Sequence, residues 1–172
     1  NKQTQRDGTA FARAARGDKL REECGVFGVS LNDATDYAEA AGITYNALLA
    51  LQHRGQEGAG IAVCSGNAIT CRKSVGLVDD VFSSESLMAF PKSGAAVGHV
   101  RYSTTGANTM QNVQPFVTEF LTGRIATVHN GNVTNAGEMR EKLEPFGLDF
   151  SATSDSEVIS SLIAYKTLKA GN

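Results

Sequence analysis

The hydrophobic pattern along the chain alternates between strand-like and helix-like stretches. Residues 24–31 read Cys-Gly-Val-Phe-Gly-Val-Ser-Leu. This apolar, β-favouring run with small residues predicts a buried strand. Residues 44–52 (TYNALLALQ) predict a helix with Leu48, Leu49 and Leu51 buried and Gly55 as its C-cap. Residues 60–64 and 68–72 flank Ser65-Gly66-Asn67 and predict a β-hairpin. Residues 95–102 form a further strand, followed by a polar loop through Gln114, and 116–120 and 124–129 predict two more strands. Two helix starts follow. Asn135 with Glu138 sits ahead of Met139 and Leu143. Ser154 with Glu157 sits ahead of Val158, Ile159, Leu162 and Ile163, a stripe of period 3.6. Strands come first and helices afterwards, with no βαβ alternation, so the expected class is α+β, sheets covered by helices rather than a doubly wound fold.

Residues 1–23 have a different texture. Phe11 and Leu20 are their only large apolar residues, and they hold six basic and four acidic side chains against ten and fourteen in the remainder. Such a segment cannot bury enough surface to order itself. It lacks the apolar stretch of a secretory signal, and with four acids and no Ser it is unlike a mitochondrial transit peptide. The expected organisation is therefore a leader over 1–23 and a folded unit over 24–172. The first residue is not Met, which fits a processed chain or a fragment.

Composition narrows the function. The chain has 172 residues, enough for one domain, with 41% apolar and 20% charged residues. Sixteen Lys and Arg against 18 Asp and Glu give a net charge of −2. That balance argues against a nucleic-acid binder held by phosphate contacts, and no apolar run is long enough to span a membrane. Three cysteines make no disulfide framework and fit a reducing compartment, so a cytoplasmic protein is expected. Cys24, Cys64 and Cys71 lack zinc-ligand spacing, so no metal site is expected in this chain. Asp79-Asp80 is like a ribose-binding acid pair but is followed by Phe82-Ser83-Ser84-Glu85, not a phosphate loop, and reads as a solvated turn.

Chemistry-bearing residues cluster at strand ends and helix entries. Cys24 stands at the border between leader and strand. A buried free cysteine is ordinarily a small hydrophobe. If the bond before it is cut, however, its α-amine can act as base for its own thiol, so that nucleophile and base come from one residue. His129-Asn130-Gly131 can be a simple turn. It can also supply an oxyanion hole, from the Asn130 amide and the Gly131 backbone N–H. Arg101, at a strand end, offers a rigid fork for a carboxylate. Asp155, in the first turn of a helix, offers a partner for an ammonium. Together they would define an α-amino-acid pocket. The three histidines, His53, His99 and His129, raise a Cys–His pair as an alternative.

Six segments now stand in one order: Cys24-Gly25-Val26-Phe27-Gly28, Leu51-Gln52-His53-Arg54-Gly55-Gln56-Glu57, Gly98 through Gly106 (GHVRYSTTG), Asn112-Val113-Gln114-Pro115-Phe116, His129-Asn130-Gly131-Asn132 and Ser154-Asp155-Ser156-Glu157. This set, covering residues 24–172, resembles the class II glutamine amidotransferases. The forms Gln-His-Arg-Gly-Gln-Glu and Arg-Tyr-Ser-Thr-Thr-Gly are similar to those of the amidophosphoribosyltransferase branch rather than of the hexosamine-forming relatives. The resemblance implies an N-terminal-nucleophile hydrolase fold, a four-layer αββα sandwich, incomplete in this chain. It implies that residues 1–23 are a propeptide and that Cys24 is the nucleophile. Asn130 and Gly131 would form the oxyanion hole. Arg101 and Asp155 would hold the two ends of glutamine, Arg54 would lie on the site rim, and Tyr102 through Thr109 would close over the substrate. Ammonia would pass to a second domain, absent here, that joins it to phosphoribosyl pyrophosphate and so begins purine synthesis. That domain would carry Mg²⁺ and, in members with a propeptide, a 4Fe-4S cluster, and the complete protein would be a homo-oligomer. The competing readings are a glutaminase domain from another class II amidotransferase and a non-catalytic glutamine-binding module. The latter fits if residues 1–23 are never removed, because an internal Cys24 has no α-amine.

Overall fold

A computed structural model of the chain describes residues 24–32, 39–102, 109–121 and 123–170. The leader over 1–23 lies outside the described residues. Strand β1 (Gly25–Ser30) is followed by helix α1 (Ala40–Ala50), a 3-10 turn (Gln52–Arg54), and the hairpin of β2 (Gly58–Ser65) and β3 (Ala68–Val75). Two short helices, α2 (Val78–Val81) and α3 (Ser84–Met88), lead into β4 (Ala95–Arg101). A second hairpin, β5 (Phe116–Phe120) and β6 (Gly123–Thr127), precedes α4 (Ala136–Leu143) and α5 (Glu157–Ala170).

The first four strands form an antiparallel sheet in the order β1-β4-β2-β3, and β5 and β6 form a second, two-stranded sheet. Alternation along the strands separates two faces. Ala59, Ile61 and Val63 of β2 and Ala96 and Val100 of β4 point to one side and bury against Leu48 and Ala41 of α1, Val78, Phe82 and Phe90. His99 and Arg101 belong to the opposite face of β4. An apolar gap of about 250 Å³ between Ala62 and Val97 of the first sheet and Arg124 and Ala126 of the second marks the boundary between the sheets. Helix α5 packs on β5 and β6, with Thr118 donating to Ser160 at 2.8 Å. The layers thus run helix, sheet, sheet, helix, the expected αββα order.

Local readings fail where side-chain partners lie far away in sequence. Helix α1 begins at Ala40, four residues before the apolar pattern does, and of its three leucine candidates only Leu48 is fully buried. Gly55 does not cap α1. Its backbone is extended after the 3-10 turn, and a Cβ there would lie 2.7 Å from the Val100 carbonyl oxygen, so glycine is required by a close approach. Helix α4 starts after Asn135 as expected, but Asn135 makes no side-chain cap, and Glu138 pairs with Lys142 one turn on, at 2.5 Å. Helix α5 keeps only Val158 of the predicted stripe fully inward. Val158, Ser160, Ser161 and Ala164 are buried, while Ile163 is 40% exposed. Strand β6 ends at Thr127, which leaves His129 in a loop. Asp79 and Asp80 lie in the first turn of α2. Tyr45 donates to Asp79 at 2.6 Å, and this contact raises the Tyr45 phenol above its ordinary value.

Candidate active site

The antiparallel register pairs Gly25 with Val100 and Gly58 with Arg101, so the residue before β1 and the residue after β4 meet at one end of the sheet. There the Cys24 thiol donates to the Tyr102 carbonyl at 3.3 Å, and the Tyr102 N–H donates to Cys24 Sγ at 3.3 Å. Cys24 has φ of 55°, a left-handed conformation uncommon for any residue with a Cβ and found preferentially at functional sites. Arg54, from the 3-10 turn after α1, donates through Nε to the Cys24 carbonyl at 2.8 Å. Through that bond it holds the backbone of Cys24. Residues 103–108, most of the expected closing loop, lie outside the described residues.

One cleft is lined by Cys24, Arg101, Tyr102, Gln114, His129, Asn130, Gly131, Asn132, Ser154, Asp155 and Ser156. It draws together residues from five separated segments, and it contains every expected site residue except Arg54. Asn130 points its amide at the Cys24 carbonyl across a long 3.5 Å contact. Gly131 has φ of 155°, and a Cβ there would lie 2.9 Å from His129 Nε2, so the loop depends on glycine. Arg101 is 4% exposed and donates through Nη1 to the Asn112 carbonyl at 3.0 Å. Asp155 accepts the Val133 N–H at 2.5 Å, and the Ser156 hydroxyl donates to its other oxygen at 3.3 Å. The Glu157 carboxylate reaches backward to accept the N–H groups of Ser151 and Ala152, each at 3.0 Å, which braces the loop leading to Asp155.

The three histidines separate cleanly. His53 sits at the end of α1 against the Ala50 carbonyl, away from the cleft. His129 lines the cleft with Nδ1 3.0 Å from the Ser156 hydroxyl. His99 is fully buried, and neither ring nitrogen has a partner in hydrogen-bond geometry. Burial pushes its imidazole down to about 3, and the Arg101 charge pushes the same way, while the His129 backbone opposes the shift. The unfolded chain then binds a proton on His99 between pH about 6.5 and about 3 while the native state does not. The stability this residue contributes is complete above pH 6.5 and is lost as pH falls toward 3. Denaturant titrations at pH 7 and pH 5 should show a loss of about 2 kcal/mol from this residue, absent in His99→Gln. An equal pH slope in the variant would remove His99 as the cause.

Sequence reasoning attached no role to Gln114, Asn112 or Ser156. All three stood inside motif segments, which was their only signal. No group of three or more metal-ligating side chains occurs among the described residues, and none of the described helices is long and apolar enough to cross a membrane.

The chain is similar to several known proteins. Residues 99–171 match a family described as a glutamine amidotransferase domain. Amidophosphoribosyltransferase from Methanothermobacter thermautotrophicus is 47% identical over 146 residues, 85% of this chain and 30% of that protein. Amidophosphoribosyltransferase 3, chloroplastic, from Arabidopsis thaliana is 44% identical over 162 residues, 94% of this chain and 29% of that protein. Among solved structures, glutamine phosphoribosylpyrophosphate amidotransferase from B. subtilis, complexed with ADP and GMP, superposes with a TM-score of 0.67 at 42% identity, over 80% of this chain and 28% of that one. A structure described as the allosteric regulatory enzyme of purine biosynthesis gives 0.69 at 42% identity, over 80% of this chain and 29% of that one. The chain thus spans about 30% of the length of the curated relatives it matches.

Proposed function

We propose, from the premise that this chain belongs to the amidophosphoribosyltransferase family as its glutamine amidotransferase domain, that it hydrolyses glutamine to glutamate and ammonia at Cys24. The observation that carries the reading is the single cleft that joins Cys24 to a cation, an anion and a pair of oxyanion donors.

In this mechanism residues 1–23 are a propeptide, and their removal frees the Cys24 α-amine. The amine takes the thiol proton, and the thiolate attacks the side-chain amide carbon of glutamine. The developing oxyanion is held by Asn130 Nδ2 and the Gly131 N–H. The C–N bond then breaks, and the proton held by the α-amine leaves with ammonia. Water hydrolyses the γ-glutamyl thioester and releases glutamate. Arg101 clamps the α-carboxylate and Asp155 the α-ammonium, while Arg54 fixes the Cys24 backbone. Tyr102, which lines the cleft, borders the bound amino acid.

The ammonia would be used by a second domain, together with phosphoribosyl pyrophosphate, to form 5-phosphoribosylamine. Any Mg²⁺ or 4Fe-4S cluster belongs with that domain, and the complete protein is proposed to be a homo-oligomer in the cytoplasm. The relative complexed with ADP and GMP supports nucleotide partners for the complete protein.

The experiment is glutamate release by the full-length, N-terminally processed protein, with Arg101→Gln and Asp155→Asn alongside. Each substitution leaves one end of the zwitterion without its counter-charge and should weaken kcat/KM by about 2–4 kcal/mol, mainly through KM. Hydrolysis with an unchanged glutamine KM in both variants would remove the amino-acid pocket. No hydrolysis by the processed wild type would favour the binding-module reading.

A further inference from the structure

The β5–β6 hairpin pairs Phe116 with Thr127. One rung outward the same register sets Pro115 opposite Val128, and the next sets Gln114 opposite His129. Pro115 has no N–H to give, so a backbone ladder cannot run through it. At the following rung the Gln114 side chain does what a peptide group would do. Its Oε1 accepts the His129 N–H at 2.6 Å, and its Nε2–H donates to the His129 carbonyl at 3.1 Å. The residue so held is directly followed by Asn130 and Gly131.

Two residues upstream, Asn112 serves the opposite wall. Its Oδ1 accepts the N–H groups of Thr153 and Ser154 at 2.9 and 3.0 Å, on the approach to Asp155, and its Nδ2 donates to the Thr153 hydroxyl at 2.9 Å. Its main-chain carbonyl takes the Arg101 guanidinium. Asn112 and Gln114 are 1% and 3% exposed, so neither side chain has bulk water as an alternative partner. Lys73, from the first sheet, ties the segment down by donating to the carbonyls of Val113 and Pro115 at 2.5 and 3.1 Å.

We propose that the 112–114 segment is a two-armed strap whose arms divide the reaction between them, Gln114 positioning the oxyanion donors Asn130 and Gly131, and Asn112 positioning the substrate-holding pair Arg101 and Asp155. The inference rests on the glutaminase reading above. Both are positioning residues, because each acts through another group. A donor met only by transition-state charge affects kcat, and a contact made equally to bound substrate affects KM. The two arms therefore have opposite kinetic signatures.

The test uses the full-length processed protein. Gln114→Met keeps the length of the side chain and removes both hydrogen bonds. It should lower kcat for glutamine hydrolysis by about 10–100-fold with KM within about threefold of wild type. Asn112→Leu should raise KM by about tenfold or more with kcat within about threefold. On an Asn130→Ala background, Gln114→Met should cost clearly less than it does alone, because only the Gly131 donor is then left for it to position. Melting temperatures separate folding from chemistry, and Gln114→Glu, which keeps the acceptor for the His129 N–H, serves if the Met variant does not fold. Matching changes in kcat and KM in both arms would overturn the proposal, as would an undiminished Gln114→Met effect on the Asn130→Ala background. Unfolding of both Gln114 variants would assign that residue to the fold alone and overturn it too. A wild-type protein that does not hydrolyse glutamine would sink the glutaminase reading itself, and an active wild type with unsplit variants would sink only the strap.

Discussion

Replacing Cys24 with Ala should abolish glutamine hydrolysis, lowering kcat by at least about 10⁴-fold. The size follows from what the residue is asked to supply. In the proposed mechanism the thiolate forms the covalent bond and the α-amine of the same residue moves the proton, so the substitution removes the nucleophile and leaves the base with nothing to activate. The surrounding structure should hardly notice. The contacts of the Cys24 sulfur with Tyr102 are to backbone atoms, and the Cys24 carbonyl, which Arg54 holds, survives the change. Steady-state glutamate release, with intact mass to show where the chain begins, checks both parts. A Cys24→Ala enzyme with near wild-type kcat would end the covalent mechanism. If the thiol also initiates removal of residues 1–23, the variant should keep them.

Asn130→Ala should lower kcat by about 10²–10³-fold and leave the glutamine KM nearly unchanged. The amide now faces the Cys24 carbonyl across 3.5 Å, a weak contact whose loss costs the resting protein little. In the proposed mechanism its full strength is reached only when negative charge forms on the substrate oxygen. Asn130 is solvent-exposed at the cleft edge, so the truncation makes no cavity and the melting temperature should stay put. If Asn130→Ala alters KM alone, the side chain binds glutamine in its ground state and the oxyanion role belongs elsewhere.

What could be read in advance depended on where each residue's partners lie. Strands and hairpins were legible because their signal is local, and β5 matched residue for residue. The outcome for α5 shows the limit. Its most apolar side chains suggested one inward stripe, yet Val158 alone of them is fully buried, and Ser160, Ser161 and Ala164 are buried with it, Ser160 bonded to Thr118. Helix-to-sheet spacing made that choice, and no periodicity within the helix reports it. The site behaved similarly. Cys24, Arg101, Asn130 and Asp155 were proposed from their chemistry and their motifs, and the fold gathers them at one cleft. Arg54 was named too, but the contact it makes, with a carbonyl thirty residues upstream, comes from a turn and a strand end meeting in space. Gln114 and Asn112 were opaque for the same reason, because a buried amide announces nothing until its partners are known.

The register of the second hairpin makes it a measuring rod. The oxyanion loop stands a fixed number of rungs from the turn at Leu121, which is 91% exposed. Residues added at that tip can loop out into water while the pairing of Phe116 with Thr127, and so of Gln114 with His129, stays as it is. A single residue lost from within β6 cannot be absorbed in that way. Sliding the strand by one position would turn every side chain to the other face and bring Asn130, not His129, against Gln114. The hairpin should therefore tolerate changes of length at its turn and resist them along β6, so that relatives diverge freely at the tip and keep the count from Thr127 to Asn130.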